Sequence, residues 1–292
     1  GVNMGRYIIL NVAKDSLINI NLSAEVDNTS IRIMSGDSIY NITASTNWIG
    51  KTNYFAHAET MVIYGNIKFF DCNENNTKIT GLNVSNNPTL TSLYCNDNAL
   101  TSLIVDGCSI LDTLTCNNNN LNSLDIYTCS SLQILYCSNN NLSTLDVSTC
   151  NAIHAINCSN NELTSLNVVG CTVLKKLTCT ENALTILDLS SCIALNTLSC
   201  YGNNFTIKGY DSLMCSLPSK SSNDNAKFYP LYDANDINAT KFMASNAQNV
   251  IDKNWQVNYL GDVKIPSTSG TYDCDGVNMG RYIILNVAKD SL

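Results

Sequence analysis

Apolar positions recur through the middle of the chain with a period of 21 residues. Leu93, Leu114, Leu135, Ile156, Leu177 and Leu198 form one series, and Leu100, Leu121, Leu142, Leu163, Leu184 and Phe205 form a second. Leu103, Leu124, Leu145, Leu166 and Leu187 form a third. Cysteine follows the same spacing twice: at Cys95, Cys116, Cys137, Cys158, Cys179 and Cys200, with Cys72 leading by 23, and at Cys108, Cys129, Cys150, Cys171 and Cys192. Asparagine does so at Asn75, Asn98, Asn119, Asn140, Asn161, Asn182 and Asn203. Aligned columns at one period are the mark of stacked units. Within a unit, alternating Leu114 and Cys116 fall on the inward face of a short strand. Asn119 then turns the chain, its amide set to bond backbone groups left unpaired at the corner. The return segment, such as Leu124-Asp-Ile126-Tyr-Thr-Cys129, is too short for a full helix. Extended or short 3₁₀ backs are therefore expected.

The stretch Leu111-Asp-Thr-Leu114-Thr-Cys116-Asn-Asn-Asn119-Asn-Leu121 resembles the leucine-rich-repeat signature, with Cys in place of the third Leu. The resemblance is to short, internalin-like units, especially those of surface leucine-rich-repeat proteins of the Bacteroidetes type. It covers residues 67–205, about half the chain. It implies a solenoid of about six units of 21–23 residues, built on a parallel β-sheet and displayed outside the cell.

A stack exposes an apolar cross-section at each end, so both ends need covering. Upstream, Tyr7–Val12, Leu17–Leu22, Ser30–Met34, Ile39–Thr43 and Met61–Tyr64 alternate apolar and polar residues between turn clusters. They predict a β-rich N-terminal cap over residues 1–66, with Trp48 in its core. Downstream, Lys208 and Tyr210 break the ladders. A short helix over Tyr210–Leu217, a strand over Lys227–Tyr232, one amphipathic helix over Ala239–Lys253 and a strand over Trp255–Leu260 predict an α/β C-terminal cap over 206–264. Residues 276–292 repeat residues 1–17 without a mismatch, at an offset of 275. Either the end of the chain is an artificial duplication, or residues 265–292 read as a linker, starting at Ile265-Pro-Ser-Thr-Ser-Gly-Thr, and the start of a second identical module, the reading preferred here. The copied strand Arg281–Val287 is also suited to strand exchange with a neighbouring molecule.

Composition narrows the chemistry. Asparagine is about one residue in seven, consistent with many turns or a stacked side-chain ladder. Sixteen Lys and Arg against 24 Asp and Glu give a net charge of −8, with no basic stripe for nucleic acid or an anionic membrane. No apolar run is long enough to span a membrane, and Gly1–Leu17 does not read as a signal peptide. Twelve of 14 cysteines lie on the two ladders. Neighbours there point the same way at a rung spacing of roughly 4.8 Å, whereas a disulfide needs Cβ atoms about 3.8 Å apart with turned vectors. Packed thiols are expected, and Cys215 and Cys274 are left unplaced.

No nucleophile, phosphate-loop or zinc motif is present, and no cofactor is expected. Gly36-Asp37-Ser38-Ile39 faintly resembles a GDSL hydrolase start but has no matching Asp-x-x-His downstream. His57 and His154 read as structural or surface residues, and Asp125, Asp146 and Asp188 as a solvated edge. The expectation is a non-catalytic, extracellular recognition or adhesion module. It would bind a host or bacterial surface protein through the concave strand face, at Phe69, Tyr94, Ile134 and Tyr136, with Lys176 and Tyr201 (beside Lys175) as a second patch. Glycan binding and a structural spacer role are the alternatives.

Overall fold

The computed structural model describes residues 1–272 and 274. The expected strand at Arg281–Val287 lies outside the described residues.

Each unit contributes a short strand, three residues long from Ser92 onward, centred on an inward apolar residue that is leucine in most units. The strands are β7 (Ile67–Asp71), β9 (Ser92–Tyr94), β11 (Thr113–Thr115), β12 (Ile134–Tyr136), β14 (Ala155–Asn157), β16 (Lys176–Thr178) and β17 (Thr197–Ser199). They pair in parallel with Phe70, Leu93, Leu114, Leu135, Ile156, Leu177 and Leu198 in register, so each column of the sequence is a column of the sheet. The backs are extended. Short strands β8 (Ile79–Asn83), β10 (Ser102–Ile104), β13 (Thr144–Asp146) and β15 (Ser165–Asn167) run along the opposite side, and a 3₁₀ turn lies at Asn76–Lys78. The fold is a leucine-rich-repeat solenoid.

Two sheets extend beyond the repeats. The first is continued by β1 (Tyr7–Val12), β6 (Thr60–Tyr64), β3 (Thr29–Ser35) and β4 (Ser38–Ala44) next to β8, in the order β10-β8-β1-β6-β3-β4. The long sheet is continued at one end by β2 (Leu17–Ala24) and β5 (Thr52–Phe55). At its other end stand β18 (Lys227–Leu231), β19 (Gln256–Tyr259) and β20 (Val263–Lys264), giving 12 strands. Ile8, Leu10, Ile18, Ile20, Ile31 and Ile33 fill the space between the sheets and merge with the leucine and cysteine columns into one core.

Each asparagine of the ladder serves two rungs. Asn140 donates its amide to the carbonyls of Cys116 (3.0 Å) and Cys137 (3.1 Å) and accepts from the backbone N–H of Leu121 (3.0 Å). Asn119, Asn161, Asn182 and Asn203 repeat this set. A second polar column stands one residue earlier: Asp97, Asn118, Asn139, Asn160, Glu181 and Gly202 all have φ between +52° and +66°. Glycine and asparagine tolerate that left-handed conformation best. The asparagine excess therefore has two causes, the ladder and the corner before it.

All 12 ladder cysteines are free and buried. On the returning side the thiols of Cys108, Cys129, Cys150, Cys171 and Cys192 point at a backbone carbonyl of the preceding unit, at 3.5–3.9 Å. Each of these carbonyls already accepts a backbone N–H of its own turn, so the weak S–H donor adds a second contact that ties one unit to the next. Cys215 and Cys274 form a disulfide.

The C-terminal region departs from the sequence pattern at its helices: the first starts at Ile207 rather than Tyr210, and the second is broken. After α1 (Ile207–Ser216), capped by Thr206, the expected single helix over Ala239–Lys253 is two short ones, α2 (Ala239–Met243) and α3 (Gln248–Ile251). Between them the backbone bonds elsewhere. Ser269 N–H donates to the Met243 carbonyl and Gly270 N–H to that of Ser245, while Asn246 N–H donates to Asp211 and Ala247 N–H to the Thr268 hydroxyl. These outside partners replace the intrahelical bonds that a continuous helix needs. The segment 265–272 is accordingly packed on the α2–α3 corner, and Asn246 and Asn249 both bond the Tyr272 carbonyl.

Candidate functional site

The residues flanking each inward apolar residue form two columns on the outer face of the long sheet, solvent-facing except at the buried Ser92. One runs Phe69, Ser92, Thr113, Ile134, Ala155, Lys176 and Thr197; the other runs Asp71, Tyr94, Thr115, Tyr136, Asn157, Thr178 and Ser199. Small residues dominate, so the few large ones stand out. Tyr136 is 40% exposed, Phe69, Tyr94 and Ile134 are half-buried, and Lys176 is exposed. Phe69 and Tyr94 lie on adjacent rungs, with Tyr136 two rungs beyond Tyr94.

Trp48 corrects the sequence expectation: it is 41% exposed, outside the core. Its ring lies 5.6 Å from Phe69 and 6.0 Å from Tyr94, centroid to centroid. The loop between β4 and β5 carries it there, and three contacts fix that loop. Ile49 N–H donates to the Leu22 carbonyl, Gly50 N–H to the Asn21 side chain, and Thr46 donates from both backbone and hydroxyl to Asp27. Those bonds hold Asp27 below the usual carboxylate range. No periodicity points to Trp48, because the loop belongs to no repeat.

Around this trio the surface is polar. Asp71 is raised above its ordinary value, chiefly by burial. Lys51 bonds Asn73 and pairs with Glu74 at 3.4 Å, and Thr115 donates its hydroxyl to Asn96 at 3.0 Å. Lys68 stands 5.0 Å over the Phe69 ring. Aromatic faces ringed by amides, hydroxyls and charges can stack against a partner's apolar group while satisfying its polar rim.

The second sequence-predicted patch is separate. Tyr201 packs edge-on against Tyr232 at 5.5 Å, and burial raises its hydroxyl. Lys176 lies on the adjoining rungs and is not joined to the Trp48 trio. Beyond it, Lys227 pairs with Asp262 at 2.7 Å and the Tyr229 hydroxyl donates to the same carboxylate. A cavity of about 450 Å³ opens nearby, lined by Lys227, Trp255, Asn258 and Ile265 among others.

The remaining candidates have structural surroundings. Asp125, Asp146 and Asp188 accept the N–H two residues on, from Tyr127, Ser148 and Ser190, and so form turns on the returning side. Gly36 and Asp37 are a two-residue hairpin turn between β3 and β4. His57 packs on Phe55. Among the described residues no three His, Cys, Asp or Glu side chains gather as a metal site, and no helix is long and apolar enough to cross a membrane.

No protein-family model matches the chain, and no curated protein matches it. Solved structures do. The functional domain of InlJ from Listeria monocytogenes, which includes a cysteine ladder, shares 24% identity over 51% of this chain and 42% of its own, with a TM-score of 0.34. YopM, a leucine-rich effector protein from Yersinia pestis, shares 21% over 64% of this chain and 50% of its own, at 0.46. A leucine-rich-repeat protein of Leptospira interrogans shares 22% over 43% and 35%, at 0.41. The chain spans half or less of each of these structures.

Proposed function

We propose that this chain is a non-catalytic recognition module, displayed at the cell surface or secreted, that binds a protein partner through the solvent face of the long sheet. The observation that carries this reading is Trp48, held 41% exposed by a pinned loop over Phe69 and Tyr94. Keeping a tryptophan in water leaves its burial free energy unused, on the order of 2–3 kcal/mol for a large side chain, until a partner covers it. Ile134 and Tyr136 extend the apolar surface along the sheet, and Lys176 with Tyr201 supplies a separate polar patch. The Cys215–Cys274 disulfide supports folding in an oxidising compartment. The 17-residue identity between the chain's two ends supports a tandem succession of modules, in which linked copies gain avidity without new contacts. The repeat sequence resembles the Bacteroidetes surface type, and the proposed partner is a host or bacterial surface protein.

The alternative reading is glycan recognition, favoured by the same Trp48 face beside Asn96 and Asp97. Screening the chain against extracellular proteins and glycans, beside a Trp48→Ala/Tyr94→Ala variant, tests both. A protein hit lost in the variant supports the proposal. A glycan hit lost in the variant replaces it. A hit kept in the variant moves the site to Tyr201 or the ends. No hit leaves a spacer role as the better account.

A further inference from the structure

A sheet ends in strands whose outer N–H and C=O groups have no ladder partner, and proteins that stay apart keep such edges short, charged, bulged or covered. Five of the six sheet edges among the described residues are kept so. Strand β20 is two residues long and ends on Lys264, and β10, β13 and β15 are three residues each. Strand β5 is four residues long and follows Lys51, and the Tyr40 hydroxyl covers its Phe55 carbonyl at 3.2 Å. Strand β4 is the exception. It closes the six-stranded sheet with seven residues, Ser38-Ile-Tyr-Asn-Ile-Thr-Ala44, that include no charge and no proline. Its register with β3 is unbroken from Ser38 to Ala44, and none of its residues has positive φ.

The two-residue turn Gly36-Asp37 fixes which way the β4 backbone faces. The closing pair Ser35–Ser38 exchanges both backbone bonds, and every second pair after it does the same. Ser38, Tyr40, Ile42 and Ala44 thus direct their backbone groups at β3. Ser30, the partner of Thr43, accordingly aims its carbonyl to the other side of β3, 3.2 Å from where a Cβ on Gly65 would sit. The N–H and C=O groups of Ile39, Asn41 and Thr43 point away from the sheet, and among the described residues no backbone group meets them. Three such residues at alternate positions are satisfied together by one extended strand.

We infer that β4 is a self-association edge, at which two copies of this chain join antiparallel about a two-fold axis at Asn41. The strand fits its own reverse. Centred on Asn41, Ile39 faces Thr43, Tyr40 faces Ile42 and Asn41 faces Asn41, and the first and last of these are the pairs that exchange backbone bonds. Tyr40 and Ile42 are half-buried on the inner face, with the Tyr40 ring 5.3 Å from Tyr54. An aromatic opposite a β-branched residue is a favourable cross-strand pair. On the outer face Ile39, 50% exposed, gains a cover. The Asn41 oxygen accepts from Arg32 Nε at 3.2 Å, which leaves the amide N–H groups for the facing asparagine. With no charge on the strand, nothing on it repels its own image. The contact is isologous and closes at two copies. It does not rest on the Trp48 face.

Seven residues make a small contact of the weak, reversible kind, so sedimentation of the whole chain from about 1 μM to about 500 μM tests it. The weight-average mass should rise towards that of a dimer, and more so at high salt, because each copy carries a net charge of −8. Asn41→Lys and Asn41→Glu each set like charges opposite one another across the axis, and each should weaken association about fivefold. Mixed one to one, the two should associate at least as well as wild type. Thr43→Pro removes an outward N–H, which an edge strand tolerates, and should weaken association about tenfold. Circular dichroism and thermal midpoints close to wild type would show that the variants fold. A wild-type chain that stays monomeric throughout would overturn the inference and leave the edge to a strand of another protein. Association that all three variants leave unchanged would overturn it too, by putting the contact elsewhere. Asn41 variants that are weakened alone and no stronger when mixed would overturn the two-fold register.

Discussion

Asn238 donates its side-chain amide to the backbone carbonyl of Asn203 at 2.6 Å, and so carries the asparagine ladder one step past the last repeat. Asn238 is buried, and it lies off the 21-residue period. Asn140→Ala, in the middle of the ladder, strips partners from several buried backbone groups and should cost about 3 kcal/mol or more. Asn238→Ala removes one bond to a buried carbonyl and a long one from Lys241, and should cost about 1 kcal/mol. Urea unfolding midpoints, at unchanged slope, would show the difference. Equal losses would mean that the end of the stack is held as tightly as its centre.

The ladder thiols give stability an alkaline limit. Burial pushes Cys116, Cys158, Cys171 and Cys192 up to about 12, against an ordinary thiol value near 9.0 that the unfolded chain recovers. A group whose folded value is raised contributes stability that is complete below the unfolded value and lost as pH rises through the folded one. The denaturation midpoint should therefore hold to about pH 8 and fall between about 9 and 12. The slope, about 1.4 kcal/mol per pH unit for each thiol, counts the thiols involved. A midpoint flat to pH 11 would show that the unfolded chain also keeps its protons.

Glu181 occupies the left-handed corner at φ 52°, where three other units use Asn118, Asn139 and Asn160. Asparagine is at ease there and glutamate is not. Glu181→Asn should stabilise the chain by about 0.5–1 kcal/mol, readable as a rise in thermal midpoint. A fall would mean that the Glu181 carboxylate makes contacts worth more than the strain.

The two tryptophans are opposite in exposure. Trp48 is 41% exposed, whereas Trp255 is 3% exposed with its indole N–H bonded to the Pro218 carbonyl. Acrylamide should quench two distinct populations, and Trp48→Phe should abolish the accessible one with little change in stability. If Trp48→Phe instead destabilises the chain as a core substitution does, by more than about 2 kcal/mol, the ring is structural.

The Cys215–Cys274 disulfide closes a loop with a sequence separation of 59. Chain entropy puts its contribution at about 4 kcal/mol as an upper value. Cys274→Ser should lower the thermal midpoint and leave segment 265–272 open to proteolysis, while the repeats remain resistant. Uniform loss of protease resistance would mean that the ends and the repeats unfold together.

Sequence reading recovered what translational repetition writes into the chain. Leu114 and Cys116 reach the core because every unit repeats their environment, so column position settles their burial. Residues that act once are not written that way. An apolar ring in a β-rich stretch usually reads as core, and the bonds from Ile49 to Leu22, from Gly50 to Asn21 and from Thr46 to Asp27 place Trp48 outside it. The break between α2 and α3 depends on Ser269, Gly270 and Asp211, which are distant in sequence from Ala244–Ala247. The corner column at Asn118 and Asn139 was visible as composition but not as conformation, since adjacent asparagines conceal which of them takes positive φ.

The order of the cysteines along the chain bears on how it is made. Every ladder cysteine, from Cys72 to Cys200, precedes both partners of the disulfide. Synthesis runs from the N-terminus and local stacking is fast, so the ladders can wind and hide their thiols before Cys215 and Cys274 emerge. Until a rung is wound, its thiol is open to exchange with any other. Wherever this chain matures in the presence of an oxidant, its yield is thus set by a race between winding and oxidation. A slower-winding variant would lose product to misbridged chains even when its finished fold is no less stable.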